Sequence, residues 1–210
     1  MRRLFWEDPY MKSCRAKVKK VDGKGVELES TCFFAFSGGQ QSDSGSIGGI
    51  PVERAEKKGE TIAYTLEREP EFGAGDEVEV EVDWGKRGRI MRLHSAAHIV
   101  WFIAEKRLST RKLIGSNVTE EKARIDYEYP ESIGPLLPGI EEEANAFVSE
   151  SHPIRTHADD ADPMRRWWEC GGFRCPCGGT HPRDAKEIGK IKLKRKNIGA
   201  GKERIEITLA

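Results

Sequence analysis

His94 and His98 stand four residues apart, and far downstream Cys177 and His181 repeat that spacing. If the two pairs share one ion, the chain must fold so that these distant segments meet. The run Arg89–Leu108 places Ile90, Leu93, Ala97, Val100, Trp101 and Ala104 at helical spacing, so His94 and His98 fall on one helix face, about a turn apart. The second pair lies in Arg174-Cys175-Pro176-Cys177-Gly178-Gly179-Thr180-His181, where glycines let the backbone turn tightly enough for a thiolate and an imidazole to reach one ion. Together they form a His3Cys donor set of the kind that binds zinc tetrahedrally. Cys175 is an alternative ligand through the Cys-x-Cys spacing, and an isolated His-x3-His could equally be two helix histidines with no shared task. Position 95 is Ser where a His-Glu-x-x-His peptidase carries its general base, which argues against peptidase chemistry. His152 and His157 sit in a loop-like stretch and read as solvated or structural, and Cys170 as core.

Three of the five cysteines crowd between 170 and 177, which in a reducing compartment reads as metal binding before disulfide. No export signal or membrane-length apolar run is present, so the expected compartment is the cytoplasm, with no membrane partner. With 35 basic and 35 acidic residues the net charge is zero, so any nucleic-acid contact must come from local patches. One such patch is the tail: Lys192, Lys194, Arg195 and Lys196 lie in a strongly basic hairpin directly after the metal motif. Arg165, Arg166, Trp167 and Trp168 mix cations with aromatic faces, suited to stacking on an exposed base or to burial beside the metal turn. The sequence lacks Gly-x4-Gly-Lys-Ser/Thr, so no nucleotide cofactor is expected.

The expected fold is α+β in two domains. Residues 1–85 form a small β-barrel-like domain, with strands at Arg15–Val21, Val26–Ser30, Thr31–Phe36, Ile50–Lys57, Thr61–Glu67 and Glu77–Val82. Asp22-Gly23-Lys24-Gly25 reads as a hairpin turn, and Ser37–Gly49 as irregular. Residues 86–210 form an α/β domain with antiparallel sheet and helices. It contains the helix at Arg89–Leu108, a β-like stretch at Ile114–Tyr129, and a helix over Ser132–Glu150 that Pro138 breaks or kinks. A final hairpin turns at Asn197–Lys202.

His94-Ser-Ala-Ala-His98 followed by Cys177-Gly-Gly-Thr-His181 resembles the editing domain of alanyl-tRNA synthetase. It is still more similar to the freestanding AlaX-type alanyl-tRNA editing proteins. Ala123-Arg124-Ile125-Asp126-Tyr127 resembles their Arg-x-Asp-aromatic strand, and Ser37-Gly38-Gly39-Gln40-Gln41-Ser42-Asp43-Ser44-Gly45 their glycine-rich motif, with Ser37 in place of the first glycine. A barrel ahead of the editing domain and no long C-terminal extension resemble the medium-length form, AlaX-M.

The resemblance implies a zinc-dependent hydrolase, one Zn2+ per chain, that deacylates Ser-tRNA(Ala) or Gly-tRNA(Ala) at the acceptor end. Ala97 stands where the synthetase domain often has a Thr associated with amino-acid recognition. A contact to the serine hydroxyl must then come from Ser95, Ser116, Thr180 or a water at the metal. Gly38, Gly39, Gln40 and Asp43 are candidates for contacts with the substrate or the editing domain. The alternatives are a threonyl-type tRNA editing hydrolase and a noncatalytic RNA-binding module with a structural zinc.

Overall fold

The computed structural model describes residues 1–109 and 112–210, and these divide into two compact units. The first comprises 1–37 and 41–88. Its strands are β1 (Arg2–Arg3), β2 (Ser13–Asp22), β3 (Gly25–Leu28), β4 (Ser30–Thr31), β5 (Gly45–Ile47), β6 (Ile50–Lys58), β7 (Thr61–Leu66) and β8 (Glu77–Val82). Six of them close on themselves in the order β2-β3-β7-β6-β5-β8, while β1 pairs with β4. Alternation decides which side chains fill the interior: Ile62, Tyr64 and Leu66 of β7, and Val78, Val80 and Val82 of β8, are buried, and the glutamates between those valines are exposed. Asp22 and Gly25 are directly paired, with Gly23 at φ 56° in the turn between them.

Two expectations for this unit are corrected. Of Thr31–Phe36, only Thr31 is in a strand; Cys32–Ala35 are buried without one, and Phe36 is exposed. Side chains here replace a strand partner. The Phe34 amide donates to Asp43 Oδ2 (2.6 Å), Ser42 Oγ donates to the Phe34 carbonyl (3.1 Å), and Arg87 Nη2 donates to the Cys32 carbonyl (2.8 Å). Second, the glycine-rich stretch contains β5. A Cβ at Gly45 would stand 1.9 Å from the Glu81 carbonyl, so only glycine lets this strand lie against β8.

The second unit comprises 38–40 and 89–210. Helix α1 (Trp84–Leu108) starts a turn earlier than expected, with Asp83 Oδ1 accepting from the Lys86 amide at 3.1 Å, and most of its length belongs here. Strands β9 (Leu113–Val118) and β10 (Ala123–Glu128) resolve the expected β-like stretch into an antiparallel pair. Helix α2 (Leu137–Ser149) has Pro138 in its first turn, where the missing N–H costs nothing, so the proline opens this helix instead of breaking it. A three-stranded sheet of β11 (Ile154–Ala158), β12 (Arg166–Cys170) and β13 (Phe173–Pro176) was not foreseen, and it places His157 in a strand. The chain closes with β14 (Ile191–Gly199) and β15 (Lys202–Leu209), whose turn is shorter than expected. The order β14-β15-β10-β9 makes a four-stranded sheet. Its inner residues Ile125, Ile205 and Ile207 join Leu93, Ala97 and Val100 of α1 and Ile140 of α2 in one core. No helix among the described residues is long and apolar enough to cross a membrane.

Inside the first unit, Arg87 and Asp43 form an ion pair with both side chains fully buried. Removing one partner strands a charge, whereas removing both charges does not. Arg87→Met is therefore expected to cost about 3–5 kcal/mol in urea unfolding, and Arg87→Met with Asp43→Asn to recover most of that loss. Equal destabilisation by the single and double variants would show that the pair contributes through packing alone.

Candidate metal centre

His94 and His98 leave α1 from the same face, and Cys177 and His181 leave the loop that follows β13. Their four ligand atoms lie within 4.8 Å of one another. Cys177 Sγ is 3.5 Å from His94 Nε2 and 3.2 Å from His181 Nε2. Two donors on one tetrahedral zinc would stand about 3.5 Å apart, given the usual Zn–S and Zn–N lengths. His98 Nε2 is buried and has no hydrogen-bond partner among the described residues.

The other ring nitrogens are held from behind. Gln40 Oε1 accepts from the Thr180 amide at 3.0 Å, and Gln40 Nε2 donates to Thr180 Oγ1 at 2.9 Å. The backbone donor fixes which end of the carboxamide is oxygen. His94 Nδ1, 2.8 Å from that same oxygen, must then carry the proton and donate, leaving the Nε2 lone pair for a metal. His181 Nδ1 is 2.9 Å from Ser95 Oγ, and His98 Nδ1 is 3.6 Å from Cys175 Sγ. Cys175 thus lies on the Nδ1 side of His98, away from the shared Nε2 side. Trp168, fully buried, lies with its ring centroid 4.8 Å from that of His98.

Glycines bring these parts together. A Cβ at Gly179 would sit 2.4 Å from both Gln40 Oε1 and His94 Cε1. The Gly39 carbonyl accepts from the Val118 amide (2.8 Å) and Asn117 Nδ2 (2.9 Å), and a Cβ there would meet the Ser116 carbonyl at 2.9 Å. With Gly38 at φ 59° and Gly39 at φ 84°, residues 38–40 run along β9 and deliver Gln40. The glycine-rich sequence marks this approach but does not say which histidine Gln40 meets.

Burial sets the protonation states. It drives His94 and His181 well below the ordinary imidazole value and His98 down to about 4, so all three rings are neutral near pH 7. Burial also pushes the Cys177 thiol up to about 11, and a cation is what would draw the proton off.

The remaining candidate residues are dispersed. Ser95 and Thr180 are buried beside the cluster, whereas Ser116 is exposed on β9. Asp43 belongs to the first unit, where Arg87 and the Phe34 amide occupy it. Lys192, Lys194 and Lys196 share one side of β14, but Arg195 points to the other and binds Glu203 through Nε and Nη2, each 2.6 Å from a carboxylate oxygen. Burial rules Trp168 out as a stacking platform. Trp167 is half-buried, with the guanidinium carbons of Arg165 and Arg174 4.6 and 4.3 Å from its ring centre. His152 stacks on Phe147 at 4.1 Å.

Residues 167–206 match the family model described as the threonyl and alanyl tRNA synthetase second additional domain. The chain is 36% identical over 213 residues to the alanyl-tRNA editing protein AlaX-M of Pyrococcus horikoshii, covering 99% of this chain and 97% of that protein. It is 33% identical to the alanine–tRNA ligase of Methanococcus maripaludis and 32% identical to that of Staphylothermus marinus, spanning 25% of the length of each.

Neutral imidazoles and a protonated thiol fix the proton count of metal uptake. Adding zinc to the metal-free protein at neutral pH is expected to release about one proton per ion, read with a pH indicator in weak buffer. Release of two or more would mean that the imidazoles start charged.

Proposed function

Because this chain belongs to the AlaX-type family of alanyl-tRNA editing proteins, we propose that it acts in trans as a hydrolase on mischarged tRNA(Ala), freeing serine or glycine from the acceptor end. The observation that carries this reading is the convergence of His94, His98, Cys177 and His181, with the His94 tautomer set by Gln40. The proposal divides the chain into an N-terminal domain at 1–85 and a zinc-containing editing domain at 86–210, to which Gly38–Gln40 contribute.

Alanine is a difficult amino acid for a synthetic site to select. A pocket that holds a methyl group admits the smaller glycine and rejects an added hydroxyl only modestly, so a second, hydrolytic site is needed. In hydrolysis, water adds to the ester carbonyl, the bond to the ribose oxygen breaks, and that oxygen takes up a proton. The four side chains would hold one zinc ion, which would supply positive charge at the site. Four protein donors fill a tetrahedral shell, which favours a role in positioning the substrate.

The second site must favour serine over alanine, and Thr180 is the hydroxyl to which we assign that contact. Ala97 has no polar atom to offer, and of the two hydroxyls beside the cluster Ser95 backs His181 while Thr180 backs Gln40. Thr180 Oγ1 accepts from Gln40, so its own proton remains to be donated to a serine hydroxyl, which alanine lacks. Gln40 thereby has two positioning tasks, one toward His94 and one toward Thr180.

Ser-tRNA(Ala) and Gly-tRNA(Ala) are expected to be deacylated, Ala-tRNA(Ala) to be spared, and a chelator to abolish turnover. Hydrolysis of Ser-tRNA(Thr) instead would select the threonyl-type reading, and RNA binding without turnover the noncatalytic one. Thr180→Val is expected to lower kcat/KM for the seryl substrate about tenfold while sparing the glycyl substrate. Equal losses on both substrates would assign Thr180 to the support of Gln40 alone.

A further inference from the structure

We propose that the solvent face of the four-stranded sheet is the track on which the RNA backbone of the acceptor arm lies; this rests on the reading that the substrate is an aminoacyl-tRNA. Strand parity creates the face. Ile191, Leu193, Ile205, Ile207 and Ile125 turn into the core, so their neighbours turn outward. Lys194 then stands opposite Glu206, and Lys196 opposite Arg204. One strand further, Glu206 stands opposite Arg124, and Arg204 opposite Asp126.

The acids on this part of the face are already engaged. Asp126, nearly buried, lies beneath two guanidiniums: Arg204 donates Nε to Oδ1 (2.7 Å) and Nη2 to Oδ2 (2.9 Å), and Arg124 Nη1 binds the same Oδ2. Glu206 accepts from Lys122 at 2.7 Å. Lys192 binds Glu141 of α2 at 2.9 Å. Lys194 and Lys196 are exposed and make no ion pair among the described residues. The result is a field of fixed positive charge in a chain of zero net charge.

Its chemistry fits phosphodiesters. Lys192, Lys194 and Lys196 recur about 6.7 Å apart along the strand, a repeat comparable to that of successive phosphates. Asp126 holds both arginines in one orientation, and Arg204 keeps Nη1 clear of that carboxylate for an incoming oxyanion. The face also leads toward the metal cluster. It ends at β9, where Asn117 and Val118 hold Gly39, and the next residue, Gln40, reaches His94. About 14 Å of sheet separates β14 from that edge, so RNA lying along the lysines of β14 would have the edge within its width.

The test uses the zinc-loaded full chain and a fluorescent acceptor-stem hairpin RNA, with anisotropy read over a salt series. Lys194→Glu with Lys196→Glu is expected to weaken binding at least tenfold (about a decade in Kd) and to flatten the log Kd–log salt slope by about two. KM should rise with kcat held. Lys194→Gln with Lys196→Gln should give a smaller loss in the same direction, which guards against a folding defect in the first variant. Lys17→Glu with Lys19→Glu, on exposed positions of β2, makes the same charge change in the first unit and should leave affinity within twofold. Wild-type affinity in the first variant, an equal loss in the β2 variant, or competition by polyglutamate as strong as by RNA would overturn the proposal. If the RNA is bound by this face but no aminoacyl-tRNA is hydrolysed, the face stands and the deacylase reading falls.

Discussion

The Gln40 carboxamide is the contact on which the cluster depends. Three hydrogen bonds run from one side chain: to the Thr180 amide, to the Thr180 hydroxyl and to His94 Nδ1. Each constrains the next. The Thr180 N–H can only donate, so the oxygen of Gln40 must face it, and the proton on His94 must then lie on Nδ1. A turn in the 177–181 loop and a helix turn at 94 are thereby locked to one segment of 38–40, and the nitrogen left for a metal is decided by a backbone amide. This also explains why position 179 is glycine: any Cβ would occupy the space where Gln40 and His94 meet.

What the sequence reveals depends on how local the cause is. The α1 stripe, the alternation in β7 and β8, and the Asp22–Gly25 turn have causes within a few residues, and they could be read directly. The convergence of His94, His98, Cys177 and His181 could be read because identical spacing on a helix and on a glycine turn is a strong pattern. Gln40 could be read only as part of a glycine-rich motif, because its partners stand 54 and 140 positions away. The strands β11, β12 and β13 were missed for another reason. Trp167, Trp168, Arg165 and Arg174 carry apolar surface and charge together, which hides a period of two. The pair Gly171-Gly172, at φ 52° and 86°, was the available signal for their hairpin. Cys32–Ala35 show the reverse error: an apolar run reads as a strand, but Asp43, Ser42 and Arg87 take the backbone groups a neighbouring strand would have taken.

Charge in this chain is arranged by period more than by amount. A count over the basic tail treats Arg195 and Lys196 alike, but adjacent strand residues face opposite ways. Arg195 lies against the nearly buried Glu203 and contributes to holding the hairpin, while Lys194 and Lys196 meet solvent. The same rule sends Ile205 and Ile207 inward and Arg204 and Glu206 outward. One hairpin can therefore close the core and display a cationic field without either task compromising the other.

The cluster itself is unfavourable to bury unless something fills it. Three neutral imidazoles and a thiol have been taken out of water, and buried His98 Nε2 has no protein partner among the described residues. An unpartnered buried nitrogen costs roughly 1–3 kcal/mol. A cation at the common point would supply His98 with its partner and draw the proton from the thiol, so burial that is costly for the side chains alone would favour their complex with an ion. The hydrogen bonds from Gln40 and Ser95 hold the ligands convergent in either case. The fold therefore meets the cost of assembling the donors in advance, and metal uptake would be left with the exchange of one proton for one ion.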